Sequence, residues 1–145
     1  ANGKGKLMFI AGGTSFSWSA GWFGVTFPAT MNEVQAVTGV RENTNFANCT
    51  DCHKGSEIDF VIVMERATDG IKPITLAMSG NNPSTVGGSS VATATTAGIA
   101  ALVWSRYPSL TTAQLLAKLQ QNSSRWPTKS SEYGWGMINA DAANN

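Results

Sequence analysis

Apolar positions along this chain come in short blocks separated by Gly, Ser and Asn, followed by two longer blocks towards its C-terminal end. Lys6–Ala11 (KLMFIA) is an uninterrupted apolar run closed by Gly12-Gly13. The lack of alternation fits a strand covered on both faces, as in a parallel sheet. Glu33–Val40 (EVQAVTGV) is rich in β-branched residues and predicts a second strand, and Ile58–Met64 (IDFVIVM) a third. Residues 14–27 hold Ser, Trp, Phe and Gly with no period, which reads as a loop with aromatic anchors. Residues 41–57 are polar and read as a surface loop. Asp69-Gly70 is a turn signal, so Ile58–Arg66 and Ile71–Met78 are expected to pair as a hairpin, with Gly80–Gly88 a loop.

The pattern then changes to a helical one. Ser90–Ser105 is apolar on most faces and studded with Ala and Gly, which predicts a central, buried helix stopped by Pro108. Thr111 and Gln114 have the spacing of a capping box, and Leu110 and Leu115 that of a hydrophobic staple. They start a second helix that ends near Gln121. Tyr133–Ala140 reads as a Gly-rich closing strand. Strands joined to helices indicate an α/β fold with a parallel sheet. Two helices cover only part of such a sheet, so the remaining cover is expected from polypeptide upstream, and the chain is not expected to fold alone.

At 145 residues, 42% hydrophobic and 13% charged, the chain is one domain-sized piece with a real core. That composition argues against disorder. A net charge of +1 with no basic run argues against nucleic acid and anionic membrane surfaces as partners. The longest strongly apolar stretch, Ala97–Trp104, is too short to cross a bilayer. The start at Ala1-Asn2-Gly3, with no initiating Met, reads as a mature or internal fragment. Low charge with much Gly, Ser, Thr and Asn suits a secreted protein.

Two places carry chemistry. Gly88-Ser89-Ser90-Val91-Ala92 puts the Ser90 hydroxyl at the mouth of the first helix. Spare backbone N–H groups and the positive end of the helix dipole would there stabilise a developing oxyanion. The alternative is an ordinary N-cap serine. Cys49-Thr50-Asp51-Cys52-His53 fits C-x-x-C-H, the attachment pattern of c-type haem, with His53 and then Met64 or Met78 as axial ligands. A 17-residue loop (41–57) cannot wrap a haem alone, and zinc lacks a fourth ligand. A local Cys49–Cys52 disulfide is therefore the leading expectation, with free thiols the remaining one.

Four collinear segments resemble the subtilisin-like serine proteases (subtilases). Phe9-Ile10-Ala11-Gly12-Gly13 is similar to that family's A-A-G-N strand end. Phe27-Pro28-Ala29-Thr30 with Val34–Val40 is similar to its Y-P-A…V-I-A-V-G-A-V segment. Gly88–Val103 resembles the serine motif and its helix, and Tyr133–Ala142 the Y-G-x-G-x-I-N-A-x-x-A ending. The resemblance implies a subtilisin-like parallel sheet with flanking helices, of which residues 1–145 are the C-terminal portion. It implies Ser90 as nucleophile of peptide-bond hydrolysis. The oxyanion hole would comprise the Ser90 N–H, the Ser89 hydroxyl and position 13, where Gly13 stands in place of the family's Asn. Ile10, Ala11 and Gly12 would wall an S1 pocket roomy enough for a bulky side chain. The aromatic loop Ser15–Phe27, with Trp18, Trp22 and Phe23, would border S1, cover a partner chain or pack on its own domain. No D-S/T-G or H-G-T motif precedes Ser90, and His53 falls outside the family's Asp, His, Ser order. The Asp and His are then expected on an N-terminal chain of the same, autoprocessed or two-chain protease. Gly13 equally suits a pseudoprotease that binds peptides without cleaving them. Calcium is an expectation of the resemblance, with carbonyls near Phe27–Thr30 as donors, although no acidic cluster stands out.

Overall fold

The computed structural model describes residues 6–15, 21–42, 47, 49–69, 71, 72, 74–79 and 82–145. Three parallel strands, β1 (Phe9–Ala11), β2 (Gln35–Arg41) and β3 (Ile58–Glu65), form a sheet in the order β1-β2-β3. Side chains alternate across β3. Phe60, Ile62 and Met64 join the cluster under the helices, whereas Val61 and Val63 join a second cluster with Ala29, Ala36 and Val40. Both faces are thus covered, which is why β2 and β3 read as near-continuous apolar runs.

The expected hairpin at Asp69-Gly70 is corrected. Gly70 itself lies outside the described residues; among the described residues only the Arg66 N–H donates backbone to backbone across this turn, to the Ile71 carbonyl at 2.9 Å. The antiparallel pair is instead β4 (Ile74–Ser79), in the stretch expected as a strand, with β5 (Asn82–Val86), in the stretch expected as loop. The second edge of β3 is already taken. Trp135 N–H donates to the Asp59 carbonyl at 2.8 Å, and Val61 N–H to the Gly136 carbonyl at 3.1 Å.

Helix α1 (Gly88–Arg106) packs against all three strands of the sheet. Its buried residues are Ser89, Ala92, Thr96, Ala100 and Val103, a single stripe at helical spacing. The expectation of a helix buried all round is therefore corrected for this chain: Ala94, Ala97, Gly98, Ala101 and Leu102 face outward. Thr93, Thr95 and Thr96 return their hydroxyl protons to carbonyls one turn back. Helix α2 (Thr112–Gln121) begins with the predicted capping box at Thr111 and Gln114. A short helix α3 (Ala140–Asn144), unforeseen in the sequence, follows the N-cap Asn139, whose side chain accepts the Ala142 N–H at 3.0 Å. Residues 133–139 make isolated bridges and no strand, because Gly134 and Gly136 sit at φ +57° and +84°.

Candidate active site

The first turn of α1 is capped from outside the helix. Its N-cap residue, Gly87, has no side chain to offer. Thr14, just beyond the end of β1, fills that role: Thr14 Oγ1 accepts the Ser89 N–H at 3.1 Å and lies 2.8 Å from Ser89 Oγ. Gly88 leaves room for this, since a Cβ there would meet Thr14 Oγ1 at 3.1 Å. Ser90 is the third residue of α1 and is not its cap. Its side chain is exposed, and among the described residues neither its hydroxyl nor its N–H has a hydrogen-bond partner. An unpartnered hydroxyl beside a free N–H at a helix N-terminus is suited to attack a carbonyl and to hold the resulting oxyanion.

No base is in place among the described residues. His53 is buried and directed elsewhere. Its Nε2 lies 3.0 Å from Ser15 Oγ, whose hydroxyl donates to the Trp22 carbonyl at 2.9 Å, and its own N–H donates to the Gly13 carbonyl at 3.0 Å. The ring backs onto Gly13. A Cβ at residue 13 would come within 2.8 Å of His53 Cγ and closer still to Nδ1, and φ there is +133°. Gly13, expected at the oxyanion position, therefore carries no side-chain donor and has no room for one. The residue that reaches α1 from this turn is Thr14, which the sequence alone did not single out. A polar residue straight after Gly12-Gly13 was the available signal.

Cys49 and Cys52 are joined in a disulfide with Cα atoms 5.3 Å apart. With both sulfurs in one bond, neither is available for a haem thioether. The loop expected at the surface is anchored inward. Cys49, Cys52 and His53 are buried, and the buried Glu65 carboxylate accepts the Thr50 N–H at 2.8 Å and pairs with Arg41 at 3.0 Å. Ser15 N–H donates to the Asp51 carbonyl at 2.8 Å, tying this loop to the turn that bears Thr14.

Of the three residues expected to wall S1, Ile10 packs into the core cluster of Ala29, Ala36 and Val61. Gly12 is buried, its N–H donating to the Val37 carbonyl at 2.7 Å. Ala11 is half-buried at the end of β1. Trp22 and Phe27 are exposed, Phe27 by 78%, whereas the half-exposed Phe23 ring stands edge-on to His53, 6.4 Å between centroids; Trp18 lies outside the described residues. Beside Phe27–Thr30 a carboxylate lining the cavity is already committed. Asp59, lining the cavity beside Ala29–Asn32, has one carboxylate oxygen on the Ala36 N–H and the other on Lys129 Nζ, each at 2.9 Å. That ammonium opposes a second cation, and no three acidic, His or Cys residues cluster among the described residues.

The model of the subtilase family matches residues 2–136. A thermostable alkaline protease of Halalkalibacterium halodurans is 33% identical over 143 residues, covering 99% of this chain and 36% of that protein. Subtilisin DY of Bacillus licheniformis is 30% identical over 143 residues, 99% of this chain and 48% of its own length. The crystal structure of MycP1 from Mycobacterium smegmatis superposes with a TM-score of 0.68 at 23% identity, over 99% of this chain and 42% of that one. The chain thus spans between a third and a half of the length of these relatives.

Proposed function

The chain belongs to the subtilase family, and on that premise we propose that it is the serine-bearing, C-terminal portion of a secreted serine endopeptidase. The observation that carries this reading is the exposed Ser90 hydroxyl beside its own N–H on the first turn of α1, both without a hydrogen-bond partner among the described residues. Ser90 Oγ attacks the scissile carbonyl carbon, the carbonyl π pair moves onto oxygen, and a general base takes the hydroxyl proton. Collapse of the tetrahedral intermediate breaks the C–N bond, and the leaving amine takes that proton. Water then hydrolyses the acyl-enzyme by the same route. The base His and the Asp that orients it come from an N-terminal chain of the same protease. The outward apolar face of α1, including Ala94, Ala97, Ala101 and Leu102, suits a partner element of that kind. The exposure of Trp22, Phe23 and Phe27 supports their meeting substrate or partner.

The second reading, a pseudoprotease that binds peptides, is favoured by the missing side chain at Gly13 and the His53 ring behind it. Labelling of the intact protein with a fluorophosphonate, located by mass spectrometry, separates the two. Modification at Ser90 that disappears in Ser90→Ala is the expected result. An intact, folded protein that takes up no label refutes the peptidase reading and leaves the binding scaffold.

A further inference from the structure

We propose that Thr14 supplies the second oxyanion donor, the duty that Gly13 cannot perform; this rests on the peptidase reading above. The positions of the hydroxyl protons lead to this assignment. Ser89 is only 1% exposed, and among the described residues Thr14 Oγ1 is the partner of its hydroxyl, at 2.8 Å. A buried O–H left without an acceptor is costly, so the Ser89 hydroxyl donates to Thr14 Oγ1. The second lone pair of Thr14 Oγ1 takes the Ser89 N–H at 3.1 Å. With both acceptor positions filled, the Thr14 proton has no acceptor among the described residues. Thr14 is half-buried, not sealed in the core. The proton is held beside the turn that carries Ser90, where negative charge collects as the serine attacks.

The surroundings fix this geometry rather than leave it to a mobile side chain. Thr14 pairs with Cys52 in an isolated bridge, and its neighbours Gly13 and Ser15 are bonded to His53 and Asp51 of the disulfide loop. Two donors then converge on the carbonyl oxygen, the Ser90 N–H and the Thr14 O–H. No bond at Thr14 breaks during the reaction; its hydrogen bond strengthens as the carbonyl oxygen becomes anionic.

The test compares Thr14→Val, Thr14→Ser and Thr14→Asn in the intact protein, with kcat and KM on a chromogenic peptide and the affinity of a peptide boronic acid that forms a tetrahedral adduct. Loss of one oxyanion donor lowers kcat by about 10²–10³. Thr14→Val is expected to show that loss with KM nearly unchanged and a parallel loss of boronate affinity. Thr14→Ser is expected to retain most activity. Thr14→Asn, which keeps an oxygen for the Ser89 N–H and offers an N–H donor, is expected to match or exceed the wild type. Unchanged kcat in Thr14→Val overturns the proposal. So does an equal fall in Thr14→Val and Thr14→Ser, which would assign the effect to packing against α1. In both cases Ser90→Ala still abolishes turnover, and the peptidase reading stands. Turnover that survives Ser90→Ala, or a wild type that forms no boronate adduct, removes that reading and this proposal together.

Discussion

Replacing Gly134 by Ala should remove much of the domain's margin of stability through a single methyl group. Gly134 is buried at φ +57°, where the closing segment lies against β3. A Cβ there would stand 2.5 Å from the Asp59 carbonyl carbon, and closer to the carbonyl oxygens of Ile58 and Asp59. These atoms are backbone in a strand paired along its other edge, so they cannot turn aside. The left-handed conformation costs a non-glycine residue about 1–2 kcal/mol. Overpacking against backbone adds about 1–3 kcal/mol. Moving the segment away weakens the Trp135–Asp59 and Val61–Gly136 hydrogen bonds, at about 1 kcal/mol each. The expected total is about 4–7 kcal/mol, against a typical domain stability of about 5–15 kcal/mol. Urea unfolding of the intact protein followed by Trp fluorescence reads it, since Trp135 sits in the joint, 5.5 Å from Trp126 between ring centroids. Gly21→Ala separates the two causes. Gly21 has φ +92° but open space around a Cβ, so it should cost only the conformational part, about 1–2 kcal/mol. Equal losses in the two variants would refute the crowding argument.

Two further changes test the frame around the site. Converting Cys49 and Cys52 to Ala removes a cross-link that closes only a few residues, so the expected loss is about 2 kcal/mol by denaturant unfolding; no loss would mean the loop is held by Glu65, Arg41 and Thr50 alone. The Tyr133 phenol is raised above its ordinary value of 10.0, chiefly by burial and then by the neighbouring Glu132 carboxylate. The folded state then binds more protons than the unfolded one in alkaline solution. Stability should fall as pH rises from the ordinary tyrosine value through the raised one, and Tyr133→Phe should flatten that fall in a series of urea melts.

Features set by neighbours in sequence were legible. The capping box at Thr111 and Gln114 depends on four consecutive residues and forms as read. The three apolar runs became β1, β2 and β3, because a strand buried on both faces needs no partner to declare itself. The hairpin at Asp69-Gly70 failed for a non-local reason. A local turn signal does not say whether the strand before it has a free edge, and β3 gives its edge to residues 134–136, far along the chain. The exposure of α1 has the same origin: its all-round apolar sequence declares that it is built to be covered, and the sheet, α2 and α3 cover one stripe.

At the site, the serine at the mouth of a helix was visible in Gly88-Ser89-Ser90, but its freedom was not. A serine in a first turn ordinarily serves the helix by capping it. Ser90 escapes that duty because Thr14, 75 residues from Ser89, accepts the Ser89 N–H in place of a cap. In sequence the β1 end aligns Gly13, the position without a side chain, with the family's Asn. Its geometry gives Gly13 a different role. At φ +133°, against the His53 ring, it turns the chain so that the next residue meets the helix. The buried loop of Cys49, Cys52 and His53, which in sequence looked like a separate cofactor motif, is what holds that turn. Capping the helix with a residue from the turn after β1 and freeing the serine for chemistry are thus one arrangement, and only the folded chain brings its parts together.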